Sequence, residues 1–140
     1  MITLHDIETA IAERLKSGGH AVTSAEISEG FDKPTFFIDI FQNSAARQNL
    51  YMELVNVGVE LRHFPAAETR EALVVMADEL RPLFTATPLT VGDRRLSVFE
   101  ITFDADDPAL LAYFELEFYR ETAYTPPEHE KIQNLEIEVK

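Results

Sequence analysis

The stretch EISEGFDKPTFFIDIF, residues 26–41, combines a turn with the first long strand that the sequence predicts. Gly30 and Pro34 bracket the turn, and no motif for phosphate, metal or nucleophile chemistry accompanies it. Because alternate residues of a strand share a face, TFFIDIF (residues 35–41) divides into two sets. The first set is Phe36, Ile38 and Ile40, and the second set is Phe37, Asp39 and Phe41. We therefore expect the first set to pack under helices and the second set to point away from them.

One helix is predicted before this strand and one after it. Residues 4–17 carry apolar side chains at helical spacing, and two glycines follow them. Thr3 and Asp6 form a capping-box pattern at the start of this helix. The second helix is predicted within AAETREALVVMADELRPLF, residues 66–84, which also has one apolar stripe. A single apolar stripe on each helix indicates that both helices pack on a sheet.

The other segments predict strands, and together they predict the fold class. The predicted strands are residues 21–27, 35–41, 50–64, 89–91, 94–103 and 109–121. QNSAARQN, residues 42–49, is polar and predicts a loop between hairpin strands. The order α-β-β-β-α-β-β-β predicts an α+β fold with a largely antiparallel or mixed sheet of about five to six strands and both helices on one face. We expect residues 1–125 to form a single α+β domain and residues 126–140 to form a C-terminal arm or terminal strand.

The chain is strongly acidic, and this limits its partners. It has 25 acidic and 12 basic residues, for a net charge of −13. Such a surface repels phosphate backbones, which disfavours ordinary binding of nucleic acid. An acidic wall can instead let DNA pass without sticking, although solubility is the more common reason for such a charge. The start of the sequence does not predict a signal peptide, and no apolar run predicts a membrane span, so we expect an intracellular protein without a membrane partner.

The sequence carries no convincing catalytic, cofactor-binding or metal-binding motif. Glu115 and Glu117 are the best acid pair, since residues two apart on a strand lie roughly 7 Å apart on one face, a spacing that inverting glycosidases use. Leu111, Tyr113 and Tyr119 share that predicted outer face, and nothing in the sequence indicates a cleft there. The four histidines are widely separated and the chain has no cysteine. We therefore predict a protein that is not an enzyme and needs neither a cofactor nor a metal.

Aromatic residues are more numerous than one helix-covered sheet face requires. If the helices cover one face, the other face meets solvent or a partner, and large apolar side chains there indicate subunit contact. The candidate interface residues are Phe37, Phe41, Tyr113 and Tyr119. The alternatives are a wrong assignment of faces, or loops that cover the second face.

Several blocks of the sequence resemble a family of small phage and prophage proteins, the tail terminators of contractile-tailed or defective-prophage-like gene clusters. The blocks are ITLHDIETAIAERL, AEISEGFDKPTFFIDI, ELRHFP, EALVVMADEL, YFELEFYR and IQNLEIEV. The likeness covers nearly the whole chain, and the segment EGF…P.FF with the Phe64-Pro65 step is its most specific part. None of these positions is catalytic, so the resemblance implies no active site.

The resemblance implies a structural role in the virion tail, with assembly in the host cytoplasm. Proteins of this kind are thought to form a ring, commonly a hexamer, on the last ring of the tail tube and to provide the surface that joins the head. The implied partners are further copies of the chain, the tail tube protein and a head-completion or neck protein. In such a ring Glu115 and Glu117 are candidates for an acidic lumen through which DNA passes without specific binding.

Two other functions stay open at this point. One is a different neck or head-completion protein of similar α+β build. The other is a small hydrolase or sugar-binding domain that uses the carboxylates of Glu115 and Glu117, which requires a deep pocket around them.

Overall fold

The computed structural model describes residues 2–23 and 30–125 of the chain. Its helices and strands, in chain order, are α1 Leu4–Ser17, β1 Thr35–Arg47, β2 Met52–Phe64, α2 Arg70–Thr85, β3 Leu89–Val91, β4 Arg94–Leu96, β5 Ile101–Asp106 and β6 Ala109–Glu121. The predicted arm, residues 126–140, lies outside the described residues, as does most of the strand predicted over residues 21–27. Of that strand, Val22 forms a parallel bridge with Phe36.

Helix α1 has the bounds that its local signals predict. At its start, the Thr3 side chain accepts a hydrogen bond from the Asp6 backbone amide at 3.1 Å. The Asp6 carboxylate in turn accepts from the Thr3 amide at 3.0 Å, which completes a capping box. At its end, Gly19 adopts a φ of +83°, and the amides of Gly19 and His20 donate to the carbonyls of Lys16 and Leu15. This Schellman pattern satisfies carbonyl groups that the helix leaves open.

The strands form a four-stranded antiparallel sheet in the order β1-β2-β6-β5, with a separate β3–β4 hairpin. β1, β2 and β6 are each 13 residues long and pair over most of their length. The α+β class and the largely antiparallel sheet are confirmed. The element order is α-β-β-α-β-β-β-β, which differs in detail from the predicted one.

The core lies between one face of this sheet and the two helices. The buried apolar residues of that face are Phe36, Ile38, Val55, Val57, Val59, Leu61, Leu110, Ala112, Phe114, Leu116 and Phe118. The buried residues that the helices place against it are Ile7, Ala10, Ile11, Leu15, Leu73, Leu80 and Phe84. The ring centroids of Phe84 and Phe114 lie 5.2 Å apart, which joins α2 to β6. Both helices therefore pack on one face, and Phe36 and Ile38 lie beneath them as predicted.

Arg14 ties α1 to the end of α2. Its Nη1 donates to the Leu83 carbonyl at 2.7 Å, and its Nη2 donates to the Pro88 carbonyl at 2.8 Å. The last carbonyls of a helix lack intrahelical partners and carry partial negative charge, so a guanidinium is a favourable partner for them. This contact holds the two helices together above the sheet.

The polar segment 42–49 is not the loop that its composition predicts. β1 continues through it to Arg47, with an irregular register between Gln42 and Ser44. The turn is confined to residues 48–51, where the Asn49 side chain accepts from the amides of Tyr51 and Met52. The hydrogen bonds of a hairpin are made by the backbone, so a strand with polar, solvent-exposed side chains can also form one.

The strand predicted over residues 94–103 is two strands in two different sheets. β4 pairs with β3, and β5 pairs with β6. Residues 97–100 between them have no regular structure, and Phe99 on this connector is 93% exposed. The alternating pattern of apolar residues did not reveal the break, because Leu96 and Val98 are both buried.

Candidate functional site

The sheet has a second face, opposite the helices, that the described residues leave largely uncovered. Register places β6 residues of odd number on this face, among them Tyr113, Glu115, Glu117 and Tyr119. Their β2 neighbours are Glu60, Gly58, Asn56 and Leu54. We call this surface the outer face. It carries both the predicted interface residues and the predicted acidic lumen residues, so these are parts of one surface.

The two candidate lumen carboxylates are joined by amide side chains. Asn43 Nδ2 lies 3.1 Å from Glu115 Oε1 and 2.7 Å from Asn56 Oδ1. Asn56 Nδ2 donates to Glu117 Oε1 at 3.2 Å, and the Tyr113 hydroxyl lies 3.4 Å from Glu115 Oε1. Both glutamates are exposed. The network fixes the positions of two carboxylates while leaving their charge in contact with solvent.

The Phe41 side chain, on β1, extends across β2 and contacts the ring of Tyr113 on β6. Its cross-strand partner is Gly58, where an added Cβ would lie 2.6 Å from the Phe41 ring. The Phe41 and Tyr113 rings are stacked, with centroids 6.3 Å apart and an angle of 24° between their planes. Glycine at position 58 therefore makes room for the ring, as glycines in strands often do for a close neighbour. Phe41 remains 39% exposed.

Phe37 and Tyr119 lie toward opposite ends of the outer face. Phe37 belongs to a cluster of three rings with Phe31 and Phe64, whose centroids are 4.8 to 5.6 Å apart. Tyr119 is 52% exposed, and its backbone carbonyl accepts a hydrogen bond from Arg94. Three of the four candidate interface residues thus contact other aromatic rings of their own chain, and Tyr119 is the most exposed of the four.

The outer face is acidic along its whole length. Register places these carboxylates on it: Asp39, Glu60, Asp104, Asp106, Glu115, Glu117 and Glu121. The basic residue on this side of the four strands is Arg62, which lies 3.4 Å from Glu60. Charges of one sign on a shared surface add to a field that repels polyanions.

A groove of about 520 Å³ lies beside Glu115 and Glu117, where the pairing of β5 with β6 ends. Its lining residues are Asn56, Arg95, Leu96, Ser97, Phe99, Glu100, Thr102, Tyr113, Phe114, Glu115 and Glu117. A glycosidase acid depends on a desolvated carboxyl group, whereas both glutamates here are exposed. The groove therefore gives little support to the hydrolase alternative.

Metal-binding and membrane-spanning features were sought among residues 2–23 and 30–125. No group of three or more His, Asp or Glu residues there is arranged to hold a metal ion. No helix in that part of the chain is long and apolar enough to cross a membrane.

The alternating pattern predicted that the candidate residues lie on the face opposite the helices, but it did not predict which side chains contact them. Asn43 was assigned to a loop, so its contacts with Glu115 and Asn56 could not be foreseen. Gly58 in the middle of a strand was a usable signal, since it indicates a close approach by a neighbouring group. Nothing in the pattern signalled the exposure of Phe99.

Comparison with known proteins gives the family of the chain. The family described as phage tail terminator protein matches residues 6–131. No curated protein matches the chain. A solved structure that carries no descriptive name is 15% identical, with a TM-score of 0.44 over 90% of this chain and 100% of that chain, and so loose a likeness supports no argument. The resemblance drawn from the sequence blocks is confirmed: the chain belongs to the phage tail terminator family and has a structural role in the phage tail.

Proposed function

We propose that copies of this chain assemble into a ring, expected to be a hexamer, that caps the tail tube and provides the surface to which the head joins. The observation that carries this proposal is the outer face, which is uncovered by the described residues, rich in aromatic side chains and acidic throughout. Membership of the tail terminator family supports the same role. The partners are then further copies of the chain, the tail tube protein and a neck protein, within the virion tail.

The carboxylates of Glu115 and Glu117 face the channel of the proposed ring. Asn43 and Asn56 hold them in place by hydrogen bonds within one chain, so they need no partner from a neighbouring subunit. DNA carries a negative charge on each phosphate, and an acidic wall repels it. DNA then passes through the channel without binding to it.

The aromatic residues of the outer face supply contacts with neighbouring proteins. Phe37 and Tyr119 lie toward opposite ends of the face, so they are suited to contact different neighbours. Phe41 and Tyr113 stack on each other near the middle and stiffen the surface between them. A ring needs heterologous contacts, in which one patch of a subunit meets a different patch of the next subunit.

The channel assignment is tested by charge reversal. Glu115→Lys with Glu117→Lys adds four units of positive charge to the outer face, and tails carrying this variant are expected to assemble but to deliver DNA poorly. The matched control is Glu8→Lys with Glu13→Lys, which makes the same change on the exposed side of α1. Particles are counted by electron microscopy, and infectivity is measured per particle. Unchanged infectivity of the outer-face variant would refute the proposal that Glu115 and Glu117 face the channel.

The neck-protein alternative is separated from the tail terminator by its binding partner. The purified chain is expected to bind isolated tail tubes in a pull-down and to leave portal complexes unbound. Binding to the portal without binding to the tube would favour the neck-protein alternative.

A further inference from the structure

The outer edge of β1 is the side of that strand that faces away from β2. The order β1-β2-β6-β5 puts β1 at one end of the sheet. At the start of this edge, the Phe36 amide donates to the Ala21 carbonyl, and the Phe36 carbonyl accepts from the Thr23 amide. Beyond this bridge no described residue pairs with the edge. We call the stretch over residues 38–41 the open edge.

The open edge offers backbone groups beside buried side chains. Successive residues of a strand direct their amides and carbonyls to opposite sides, so Ile38 and Ile40 direct theirs to the same side as Phe36. The Ile38 side chain is nevertheless only 7% exposed, and Ile40 is partly buried against the core. A strand placed along this edge therefore gains backbone hydrogen bonds and apolar burial together.

The apolar character of β1 is confined to its first half. Ile38 and Ile40 pack on the helix-facing side, whereas Gln42, Ala45 and Arg47 on the same side are exposed. An incoming strand thus finds apolar neighbours along the open edge and none along the second half of β1. The open edge is the part of β1 that fits a strand with one apolar side.

The end of the sequence has the pattern that this edge requires. In IQNLEIEV, residues 132–139, Leu135, Ile137 and Val139 alternate with two glutamates. Such alternation predicts a strand with one apolar and one polar side. The family match ends at residue 131, so the segment lies beyond the part of the chain that the match covers.

The last described residues lead toward the end of β1. The Thr122 amide donates to the Tyr51 carbonyl, and the rings of Tyr51 and Tyr124 lie with their centroids 5.7 Å apart. Tyr51 belongs to the turn that joins β1 to β2, so the chain leaves the sheet at the end where β1 stops. Pro126 and Pro127 follow, and since proline has no amide hydrogen, they cannot continue the pairing of β6 with β2.

The connection has sufficient length and the right direction. Residues 126–131 span up to about 20 Å when extended, whereas adjacent strands lie only about 5 Å apart. A segment that leaves the turn and runs back along β1 is antiparallel to it, as are the three strand pairs of this sheet. The covalent tether raises the local concentration of the segment at the edge, which offsets the repulsion between acidic parts of one chain.

We propose that residues 132–139 add to the open edge of their own chain as a fifth, antiparallel strand of the main sheet. Leu135, Ile137 and Val139 then lie on the helix-facing side beside Ile38 and Ile40, and the glutamates between them extend the acidic outer face. This arrangement belongs to each subunit alone, so it holds whether or not copies assemble into a ring. Addition of the same segment to a second copy is the competing arrangement.

Amide hydrogen exchange of the full chain tests the pairing. Ile137→Pro with Glu138→Pro removes one amide from each side of the segment, so one of the two must face β1. We expect the Ile38 and Ile40 amides to exchange at least about tenfold more slowly in the parent chain than in this variant, because a few cross-strand pairs supply the necessary stability. His129→Pro with Glu130→Pro makes the same change in the connection and should keep the slow exchange.

Equal exchange of these two amides in the parent chain and in the Ile137→Pro, Glu138→Pro variant overturns the inference. In that case either no segment covers the open edge, or another one does, such as the residues that follow the Val22 bridge. Loss of slow exchange in the control variant as well as in the first variant also overturns it, because the effect is then not specific to the segment.

Disulfide formation tests the face on which the segment lies, since the chain has no cysteine of its own. Asp39→Cys, on the outer face, is combined in turn with Glu136→Cys, Glu138→Cys and Lys140→Cys, which alternation puts on the same face. After oxidation, we expect one of these three variants to form a disulfide within a single chain. The controls combine Asp39→Cys with cysteine on the apolar side of the segment, and we expect them to stay reduced: Leu135→Cys, Ile137→Cys and Val139→Cys.

The concentration of protein separates the two arrangements. Pairing within one chain gives disulfides in monomers and slow amide exchange that are both independent of concentration. Disulfides that join two chains, or slow exchange that appears only as the concentration rises, mean that the segment adds to another copy, and they overturn the inference.

Discussion

His63 is expected to make the stability of the fold depend on pH. Its side chain is buried against the Phe36 ring, with centroids 4.4 Å apart, and only 3% of the residue is exposed. Burial is the main cause that lowers the pKa of His63 from 6.5 to about 4; the nearby His20 contributes to this shift, and a hydrogen bond with the Thr35 backbone opposes it. Its Nδ1 has no hydrogen-bond partner among the described residues. The folded state therefore favours the neutral ring.

The sign and size of the effect follow from this pKa difference. Well above pH 6.5 the ring is neutral in both states, so its protonation does not affect the free energy of folding. As the pH falls below 6.5, His63 becomes protonated in the unfolded chain, whereas in the folded chain it stays neutral until about pH 4. Protonation therefore stabilises the unfolded state over this range. One pKa unit corresponds to about 1.4 kcal/mol. The fold should thus lose about 2 kcal/mol between pH 7.5 and pH 5, and about 3 kcal/mol by pH 4.

Urea unfolding at a series of pH values measures this loss. Other groups also titrate in the range, so the informative quantity is the difference between the parent chain and His63→Gln, which keeps a polar side chain that does not titrate. We expect that difference to shift in favour of the glutamine variant by about 2 kcal/mol between pH 7.5 and pH 5. His5→Gln, at an exposed position of α1, is the control for the loss of one histidine. A His63→Gln profile parallel to that of the parent would refute the reasoning.

Two further predictions concern packing. Gly58→Ala places a Cβ 2.6 Å from the Phe41 ring, so it should lower the free energy of unfolding by about 1–3 kcal/mol, and the loss should shrink when Phe41→Ala is added. Equal losses with and without Phe41 would argue against the clash. Arg14→Ala removes the contact between α1 and the end of α2 and should cost about 1–3 kcal/mol in urea unfolding, whereas exposed Lys16→Ala should change it by less than about 0.5 kcal/mol. A loss for Arg14→Ala no larger than that for Lys16→Ala would contradict this.

The elements that local signals define were predictable from the sequence. The bounds of α1 follow from Thr3 and Asp6 at one end and the glycines at the other, all within one helical turn of the boundary. β6 has its predicted bounds, residues 109–121, because residues 110–119 alternate between the core and the outer face without interruption. The face on which Phe37, Glu115 and Glu117 lie follows from the same alternation.

Features that depend on distant residues could not be read from the pattern. The extension of β1 to Arg47 depends on pairing with β2, and residues 42–47 themselves are polar and small. The break between β4 and β5 arises because one segment pairs with β3 and the other with β6. The amide network from Asn43 to Glu117 spans three strands, so it exists only once the register is set.

Beyond the bridge at Phe36, the outer edge of β1 has no partner strand among the described residues, and this has a consequence for how copies of this chain meet. Such an edge offers unpaired backbone groups that can recruit strands from other molecules and lead to uncontrolled aggregation. Here the second half of the strand carries Gln42, Asn43, Ser44 and Arg47 and an irregular register, features that natural sheets use to discourage pairing at an edge. In the proposed ring, where a few copies collect at one end of the tail tube, an edge of this kind is an advantage. Contacts between copies in such a ring then depend on side chains rather than on the pairing of exposed backbone.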